Sequence, residues 1–288
     1  MANERNLRLV RYGLKGRERP GLLDRHALRD LSAIVPDIGG EVLRDDALAR
    51  LADIDPEGLP AVPGPVRLGA PVAGIGKIVG VGLNYRDHAA ELGLALPKEP
   101  TLFLKATSAL AGPADDVVMP REASSVDWEV ELGVVVGRGG VYVAEAEAMA
   151  HVAGYCLAID FSERDFQFNR AGQGFKGKSA DSFGPLGPWL VTRNGVPDPH
   201  DLALALSVNG IARQQGSTRD MIFSVPELVS YVSRFMSLQT GDVILTGTPA
   251  GVGMGRKPPT YLTPGDEVVA EIDSLGEQRH RVAAAPPG

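Results

Sequence analysis

The sequence predicts an α+β fold in which strands predominate, with a small amino-terminal domain at residues 1–70 and a larger domain at residues 71–288. The 288 residues include 35 glycines and 22 prolines, a content that favours many turns and short strands over long helices. Most apolar segments are short and rich in β-branched residues, which is typical of strands. A proline-rich passage at residues 56–71 is predicted to be a linker, and it sets the domain boundary.

Charge and composition limit the classes of function. The net charge is −7, and the chain has no basic run or basic-aromatic stripe, so we expect neither nucleic acid nor a membrane surface as a partner. The single cysteine, Cys156, excludes a disulfide within the chain and favours a reducing compartment. Since the sequence shows no signal-peptide segment and no run of 18 uncharged apolar residues, we expect a cytoplasmic globular protein.

The amino-terminal domain is predicted to contain two strands and a helix. Residues 7–12 and 21–24 have the composition of short strands, and a polar loop joins them. Apolar side chains at positions 43, 47, 48 and 51 follow helical spacing.

The larger domain begins with a predicted strand at residues 77–83, followed by a polar segment that contains His88 and Glu91. Residues three apart are neighbours on one face of a helical turn. Such a carboxylate would hold the imidazole in one tautomer and raise its basicity, as a general base requires. A surface histidine with a helical glutamate neighbour is also common, so the pair alone leaves both interpretations open. A further strand at residues 100–105 ends in Lys105.

A pair of glutamates indicates a metal site. Residues 126–137 are predicted to form a strand, on which alternate side chains Glu129 and Glu131 share a face, roughly 6.5 Å apart. Asp160 ends a second predicted strand at residues 154–160 and completes a set of three carboxylates. Hard oxygen ligands of this kind favour Mg²⁺ or Mn²⁺, and Ca²⁺ also fits. The alternative is that the two glutamates form only a solvated strand face.

Residues 172–179 match the phosphate-binding pattern G-x-x-x-x-G-K-S, which includes Lys178. That pattern requires a strand before it and a helix after it, because the helix amino terminus helps to bind the phosphates. Here a polar segment at residues 161–167, predicted to form one or two helical turns, precedes it, and glycines and prolines at residues 184–188 follow it. We therefore predict no nucleotide site.

The last third of the chain is predicted to contain a hairpin, a helix and two closing strands. Residues 202–210 form a strand with an Asn-Gly turn, and strands are also predicted at 241–246 and 266–272. Ser224 and Glu227 form a capping box that starts a helix. Six apolar residues at helical spacing are predicted to lie in the core: Val225, Leu228, Val229, Val232, Phe235 and Met236. The glycine-rich loop at 247–253 has backbone amides suited to an anion, or is simply a tight turn.

Taken together and in this order, these segments resemble the fumarylacetoacetate hydrolase family from about residue 75 to the carboxyl terminus. The matching motifs are GLNY (82–85), LFLK (102–105), DWEVEL (127–132), GY (154–155), RD (164–165), GKS (177–179), FGP (183–185), TGTP (246–249) and GVG (251–253), with His88, Glu91 and Asp160. The first 70 residues, Trp128 and residues 257–262 are most similar to the bacterial branch of 2,4-diketo-3-deoxy-L-fuconate hydrolases, which is related to the acylpyruvate hydrolases.

The resemblance implies a β-rich roll of mixed sheets, a homodimer and a bound divalent cation. It also implies roles for single residues: Glu129, Glu131 and Asp160 as metal ligands, His88 and Glu91 as the water-activating pair, Lys178 as the electrostatic stabiliser, and Lys105, Gln167 and Thr248 as substrate contacts. Members that cleave acylpyruvates often carry an arginine where this chain has Leu83. Arg86, Arg164 or the amides near Thr248 would then bind the substrate carboxylate.

The activity implied is hydrolysis of the C3–C4 bond of a 2,4-dioxo acid, an acylpyruvate or a 2,4-diketo-3-deoxy sugar acid, to pyruvate and a carboxylic acid. Decarboxylation of an oxaloacetate-type acid would form the same enolate without hydroxide, and isomerisation of a 2-oxo-enoic acid would need only proton transfer. A non-catalytic metal-binding protein is the remaining alternative.

Overall fold

The computed structural model describes residues 5–286, which contain 18 strands and five α-helices. The strands are β1 (Arg8–Tyr12), β2 (Arg19–Leu23), β3 (Leu28–Asp30), β4 (Leu68–Gly69), β5 (Ile78–Gly82), β6 (Thr101–Lys105), β7 (Leu110–Ala111), β8 (Val117–Val118), β9 (Val126–Asp127), β10 (Val130–Val136), β11 (Val152–Ile159), β12 (Ser162–Glu163), β13 (Gly184–Thr192), β14 (Ala203–Val208), β15 (Ile211–Ser217), β16 (Val243–Leu245), β17 (Glu267–Ile272) and β18 (Gly276–Ala283). The helices are α1 (Asp45–Ala52), α2 (Arg86–Leu92), α3 (Arg164–Asn169), α4 (Phe175–Lys178) and α5 (Val225–Val232). The predicted β-rich α+β class is confirmed.

Most strands belong to two mixed sheets. An eleven-stranded sheet has the order β3-β2-β1-β13-β11-β10-β16-β5-β6, with β4 paired to β1 and β7 paired to β13. A five-stranded sheet has the order β15-β14-β17-β18-β8. Most neighbours are antiparallel, but β16 and β5 pair in parallel. In the part of the chain that the structure describes, every helix is too short or too polar to cross a bilayer.

The main core lies on one face of β10 and β11, where alternate side chains point into it. Val130, Leu132 and Val134 are buried in this core, together with side chains of the five-stranded sheet and α5. The intervening residues of β10 face the other way, as the strand period of two requires, and Glu131 is among them. The predicted separation of the packing residues from the glutamate face is therefore confirmed.

The amino-terminal strands extend the large sheet. Arg8 of β1 pairs with Val191 of β13 in antiparallel register. Leu9 and Leu43 pack in a second hydrophobic cluster that also contains Leu186 of β13. The domain boundary at residue 70 stays a prediction, since residues before and after it share this sheet and this cluster.

The helix after Ser224 has the predicted capping box, in which the Glu227 carboxylate accepts from the Ser224 amide at 2.6 Å. The prediction that Phe235 lies in the core is wrong, because its side chain is 63% exposed. The helix ends at Val232, and the Ser233 hydroxyl donates to the Ser230 carbonyl at 2.7 Å. Beyond that turn the helical period no longer applies.

Candidate metal and active site

Three buried carboxylates meet where β10 begins and β11 ends. Antiparallel pairing places Val130 opposite Ile159. The next pair outward is Glu129 and Asp160, and the Asp160 amide donates to the Glu129 carbonyl at 2.9 Å. Glu131 follows on β10, and one carboxylate oxygen from each of the three acids lies within 4.8 Å of the other two. The strand register thus brings together the three predicted metal ligands.

Three buried cations hold two of these carboxylates. Lys178 Nζ donates to Glu129 Oε2 at 2.7 Å and to Asp160 Oδ2 at 2.5 Å. Arg164 Nη2 donates to Glu129 Oε1 at 2.6 Å. Lys105, which is buried at the end of β6, donates to the other oxygen of Asp160. All four oxygens of Glu129 and Asp160 therefore accept from a cationic side chain.

Glu131 lacks such a partner. Its carboxylate accepts from the Gly247 amide at 2.8 Å, and the structure records no cation bonded to it within the described residues. With Asp127, four carboxylates face the three cations, which leaves a formal charge of −1. Burial raises the pKa of Glu131 well above its usual value, and the charges of Asp160 and Glu129 raise it further.

The neighbouring residues respond differently to the same burial. Burial favours the neutral form of Glu129 too, but Arg164 and Lys178 outweigh it and hold the pKa of Glu129 well below its usual range. Burial disfavours the charged form of Lys178, yet Asp160 and Glu129 raise the pKa of this lysine. The cluster therefore has one carboxylate whose charge is not compensated. A hard divalent cation fits this donor set, because it would supply the missing positive charge.

The His88 and Glu91 pair lies on α2, as predicted. His88 Nδ1 lies 3.0 Å from Glu91 Oε2, and the His88 side chain is almost fully buried. The other oxygen of Glu91 accepts from the Gly251 amide at 2.9 Å. Asp87 accepts from the Ala250 amide at 3.1 Å. Two carboxylates of α2 thus fix this helix, and the orientation of the imidazole, to the glycine-rich loop.

The glycine-rich loop binds carboxylates of its own chain. Besides Gly247, the amides of Gly253 and Met254 donate to Asp127 at 2.6 and 3.0 Å. Gly251 has a φ of +110°, and a Cβ there would lie 2.1 Å from the Arg213 carbonyl oxygen, so glycine is required. The anions that these amides bind are thus carboxylates of the protein itself.

A cavity of about 470 Å³ joins these groups. Among the predicted site residues, its lining includes His88, Glu129, Glu131, Gln167, Lys178 and Thr248. Asp160 and Lys105 are fully buried beside it. Arg86 is exposed at the start of α2 and is absent from the lining formed by residues 5–286. The structure thus brings together every predicted site residue except Arg86 around one cavity.

The predicted substrate contacts are partly occupied by protein. The Thr248 hydroxyl donates to the Val130 carbonyl and accepts from Gln214 Nε2, each at 2.8 Å. Gln167 Oε1 accepts from Arg164 Nη1 at 2.9 Å. Thr248 therefore positions the loop beside β10, and the side-chain oxygen of Gln167 is engaged by Arg164.

One buried ion pair beside the carboxylate cluster was not predicted from the sequence. Arg164 Nε donates to Asp127 Oδ2 at 2.9 Å, and Asp127 is fully buried. The Arg164 guanidinium, a candidate to bind the substrate carboxylate, is therefore already bonded to Asp127, Glu129 and Gln167. Both residues lie in motifs noted above, but 37 positions separate them, and nothing in the local pattern indicates that they pair.

The fold and this site define a member of the fumarylacetoacetate hydrolase family, to which the chain belongs. Residues 77–283 match the family model described as fumarylacetoacetate (FAA) hydrolase C-terminal. A Burkholderia multivorans protein named provisionally as a hydrolase is 54% identical over 281 residues, which are 97% of this chain and 100% of that protein.

Two solved structures are also similar. The maleylpyruvate hydrolase of Sphingobium sp. SYK-6 in complex with manganese(II) and pyruvate is 30% identical, with a TM-score of 0.80 over 97% of this chain and 100% of that chain. The 5-carboxymethyl-2-hydroxymuconate delta-isomerase of Mycobacterium smegmatis is 31% identical, with a TM-score of 0.76 over the same shares of the two chains.

Proposed function

We propose that this protein is a divalent-metal-dependent hydrolase that cleaves the C3–C4 bond of a 2,4-dioxo acid to pyruvate and a carboxylic acid. The observation that carries the proposal is a single cavity lined by Glu129, Glu131, Lys178 and His88, with Glu91 bonded to His88 behind it. The similarity to a maleylpyruvate hydrolase that binds manganese and pyruvate supports it.

Glu129, Glu131 and Asp160 would hold the cation, with Mg²⁺ or Mn²⁺ the best match to oxygen donors and Ca²⁺ a further candidate. When bound, this ion supplies positive charge that makes a 2-oxo acid a better acceptor of electrons. The carboxylates alone would repel an anionic substrate, and the cation reverses that field.

His88 is the proposed general base. Its Nδ1–H donates to Glu91, so Nε2 carries the lone pair that takes a proton from water. The Gly251 amide, by binding Glu91, keeps that carboxylate in place. The resulting hydroxide attacks the C4 carbonyl, and cleavage of C3–C4 leaves the bonding electron pair on a pyruvate enolate.

Lys178 is proposed to stabilise this enolate. Its ammonium group lies in the cavity wall and is held by Glu129 and Asp160, so it is preorganised before substrate binds. A fixed, buried cation is more effective toward developing negative charge than a mobile one in water. We infer a homodimer from the family resemblance, and light scattering on the purified protein tests this inference.

The second candidate is isomerisation of a 2-oxo-enoic acid, which the similarity to the Mycobacterium smegmatis isomerase favours. The metal-loaded protein should be incubated with an acylpyruvate, a 2-oxo-enoic acid and oxaloacetate, with and without EDTA. In hydrolysis the summed mass of the two products exceeds the substrate mass by one water. Isomerisation leaves the mass of the product equal to that of the substrate, and decarboxylation lowers it by one carbon dioxide. Cleavage that persists after complete metal removal would refute the proposed role of the carboxylates.

The variant His88→Ala should lower kcat for hydrolysis by about 10²- to 10⁴-fold, because it lacks the imidazole proposed to take a proton from water. His26→Ala is the matched control, since His26 is exposed and lies outside the cavity. Unchanged hydrolysis in His88→Ala would remove this residue from the mechanism.

A further inference from the structure

The cavity has two chemically different parts. Its charged groups are buried at the bottom. The rest of its lining includes apolar side chains from β6, α3 and the loops that follow β5, α2 and β16: Leu83, Leu94, Leu102, Phe103, Phe168 and Met254. We call this set the apolar wall.

The apolar wall runs from the charged floor to the mouth of the cavity. The Phe103 ring lies beside the floor, with its centroid 4.8 Å from Lys178 Nζ. Leu94 and Phe168 are 54% and 55% exposed, so they lie at the mouth. A substrate whose oxo-acid end reaches Lys178 therefore extends its other end along this wall.

The lining cations are already bound. Arg164 is held by Asp127 and Glu129, and Lys178 by Glu129 and Asp160. His88 is paired with Glu91. Thr101 and Gln167 are uncharged polar side chains in the lining. A second carboxylate at the far end of a substrate would thus have no free cationic side chain among the lining residues, and several hydroxyls would have few partners.

Leu83 supports the same conclusion. Its φ is +55°, a left-handed conformation that leucine seldom adopts and that glycine would adopt without strain. The chain nevertheless places an isobutyl group in the cavity wall at this position. Residues held in such conformations concentrate at functional sites.

We propose that the acyl group of the substrate is an uncharged alkyl or aryl chain, and that neither a sugar-like polyol nor a second carboxylate is preferred. This inference rests on the proposed hydrolase activity and specifies its substrate class. The cavity volume of about 470 Å³ is within the range of small-molecule sites and leaves room for a chain beyond the oxo-acid group.

The test is a kcat/KM series on the metal-loaded full chain. The substrates are straight-chain acylpyruvates from acetyl- to hexanoylpyruvate, with two probes of the hexanoyl length that carry either a terminal carboxylate or several hydroxyls. We expect kcat/KM to rise about fourfold per methylene until the wall is covered. The carboxylate and hydroxyl probes should fall at least about tenfold below hexanoylpyruvate.

A charge placed in the wall should reverse the preference. Leu94→Arg should lower kcat/KM for hexanoylpyruvate and raise it for the carboxylate probe, each by about tenfold, and its half-exposed position should tolerate the change. Leu96→Arg is the matched control, because Leu96 is 48% exposed, lies two residues away and is absent from the lining.

The outcomes distinguish a failure of the proposed substrate class from a failure of the proposed hydrolase activity. A flat series, or a preference for either polar probe, overturns the apolar wall as the specificity determinant while the hydrolase proposal stands. An equal effect of Leu96→Arg and Leu94→Arg overturns it as well. Absence of cleavage for every acylpyruvate with metal overturns the hydrolase proposal, and with it the inference.

Discussion

Replacing Glu131 by glutamine should leave the metal-free protein at least as stable as the wild type and remove its stabilisation by metal. Glu131 is buried, faces the charges of Asp160 and Glu129, and among residues 5–286 accepts only from the Gly247 amide. Glutamine keeps the shape and an oxygen for that amide but carries no charge. Because the substitution removes repulsion inside the cluster, we expect the metal-free melting temperature to stay equal or to rise.

The loss of metal stabilisation follows from binding linkage. At a metal concentration of about 100 times Kd, a ligand that binds only the folded state stabilises it by about 2.7 kcal/mol. Loss of one carboxylate ligand should weaken binding at least about a hundredfold, since even outer partners of metal ligands contribute about 10- to 100-fold. At the same metal concentration the variant then gains only about 0.4 kcal/mol.

These free energies convert into measurable temperature shifts. With about 2.1 cal/mol/K per residue, unfolding of this chain has an entropy of about 0.6 kcal/mol/K. The wild-type melting temperature should therefore rise by about 4.5 °C with metal, and that of Glu131→Gln by less than about 1 °C. Differential scanning calorimetry with and without Mn²⁺ or Mg²⁺ measures both shifts.

Glu271→Gln provides the control, because Glu271 lies on β17 with an exposed side chain and undergoes the same chemical change. The control should keep the wild-type shift. If metal raises the melting temperature of Glu131→Gln as much as that of the wild type, Glu131 is not a metal ligand.

Two further predictions concern stability. Asp127→Asn should destabilise the protein by about 3–5 kcal/mol, because it leaves the buried Arg164 without one of its charged partners. It also keeps only one of the two oxygens that accept from the amides of Gly253 and Met254. A change in the urea midpoint worth under about 1 kcal/mol would contradict this. The backbone amide of His26, with further bonds from Arg29 and Ala27, lowers the pKa of Asp24 to about 2. Unfolded Asp24 binds a proton near its usual pKa of about 3.8, so its stabilising contribution is present above pH 4 and disappears as the pH falls toward 2. Acid denaturation of Asp24→Asn should lack that part of the pH dependence, and an unchanged acid profile would contradict the assignment.

Local sequence patterns were sufficient for the features that depend on residue periodicity. On β10 the period of two separates Val130 and Leu132, which pack in the core, from Glu131, which faces the metal cluster. The spacing of three places His88 beside Glu91 on α2. In both cases the chemistry requires side chains a few residues apart, so a regular backbone alone brings them together.

Features that depend on distant partners could not be predicted in this way. The pair of Asp127 and Arg164 forms only because β9 and β12 are neighbours. The hydrogen bonds from the amides of Gly247 and Gly253 depend on which carboxylates lie beside that loop in the folded chain. For Phe235 the prediction failed for the opposite reason. Its burial was predicted from helical spacing, but the helix ends at Val232, before this residue.

The arrangement of cations explains how a cluster of buried acids can both fold and bind metal. If every carboxylate lacked a partner, their burial would cost far more than the fold provides. If every carboxylate were paired with a cationic side chain, the binding of a divalent cation would release little free energy. Lys105, Arg164 and Lys178 stabilise two of the three proposed ligands, whereas Glu131 has no cationic partner among residues 5–286. Because Lys178 shares both Glu129 and Asp160 with the proposed metal site, its ammonium group is held beside the place where the enolate would form.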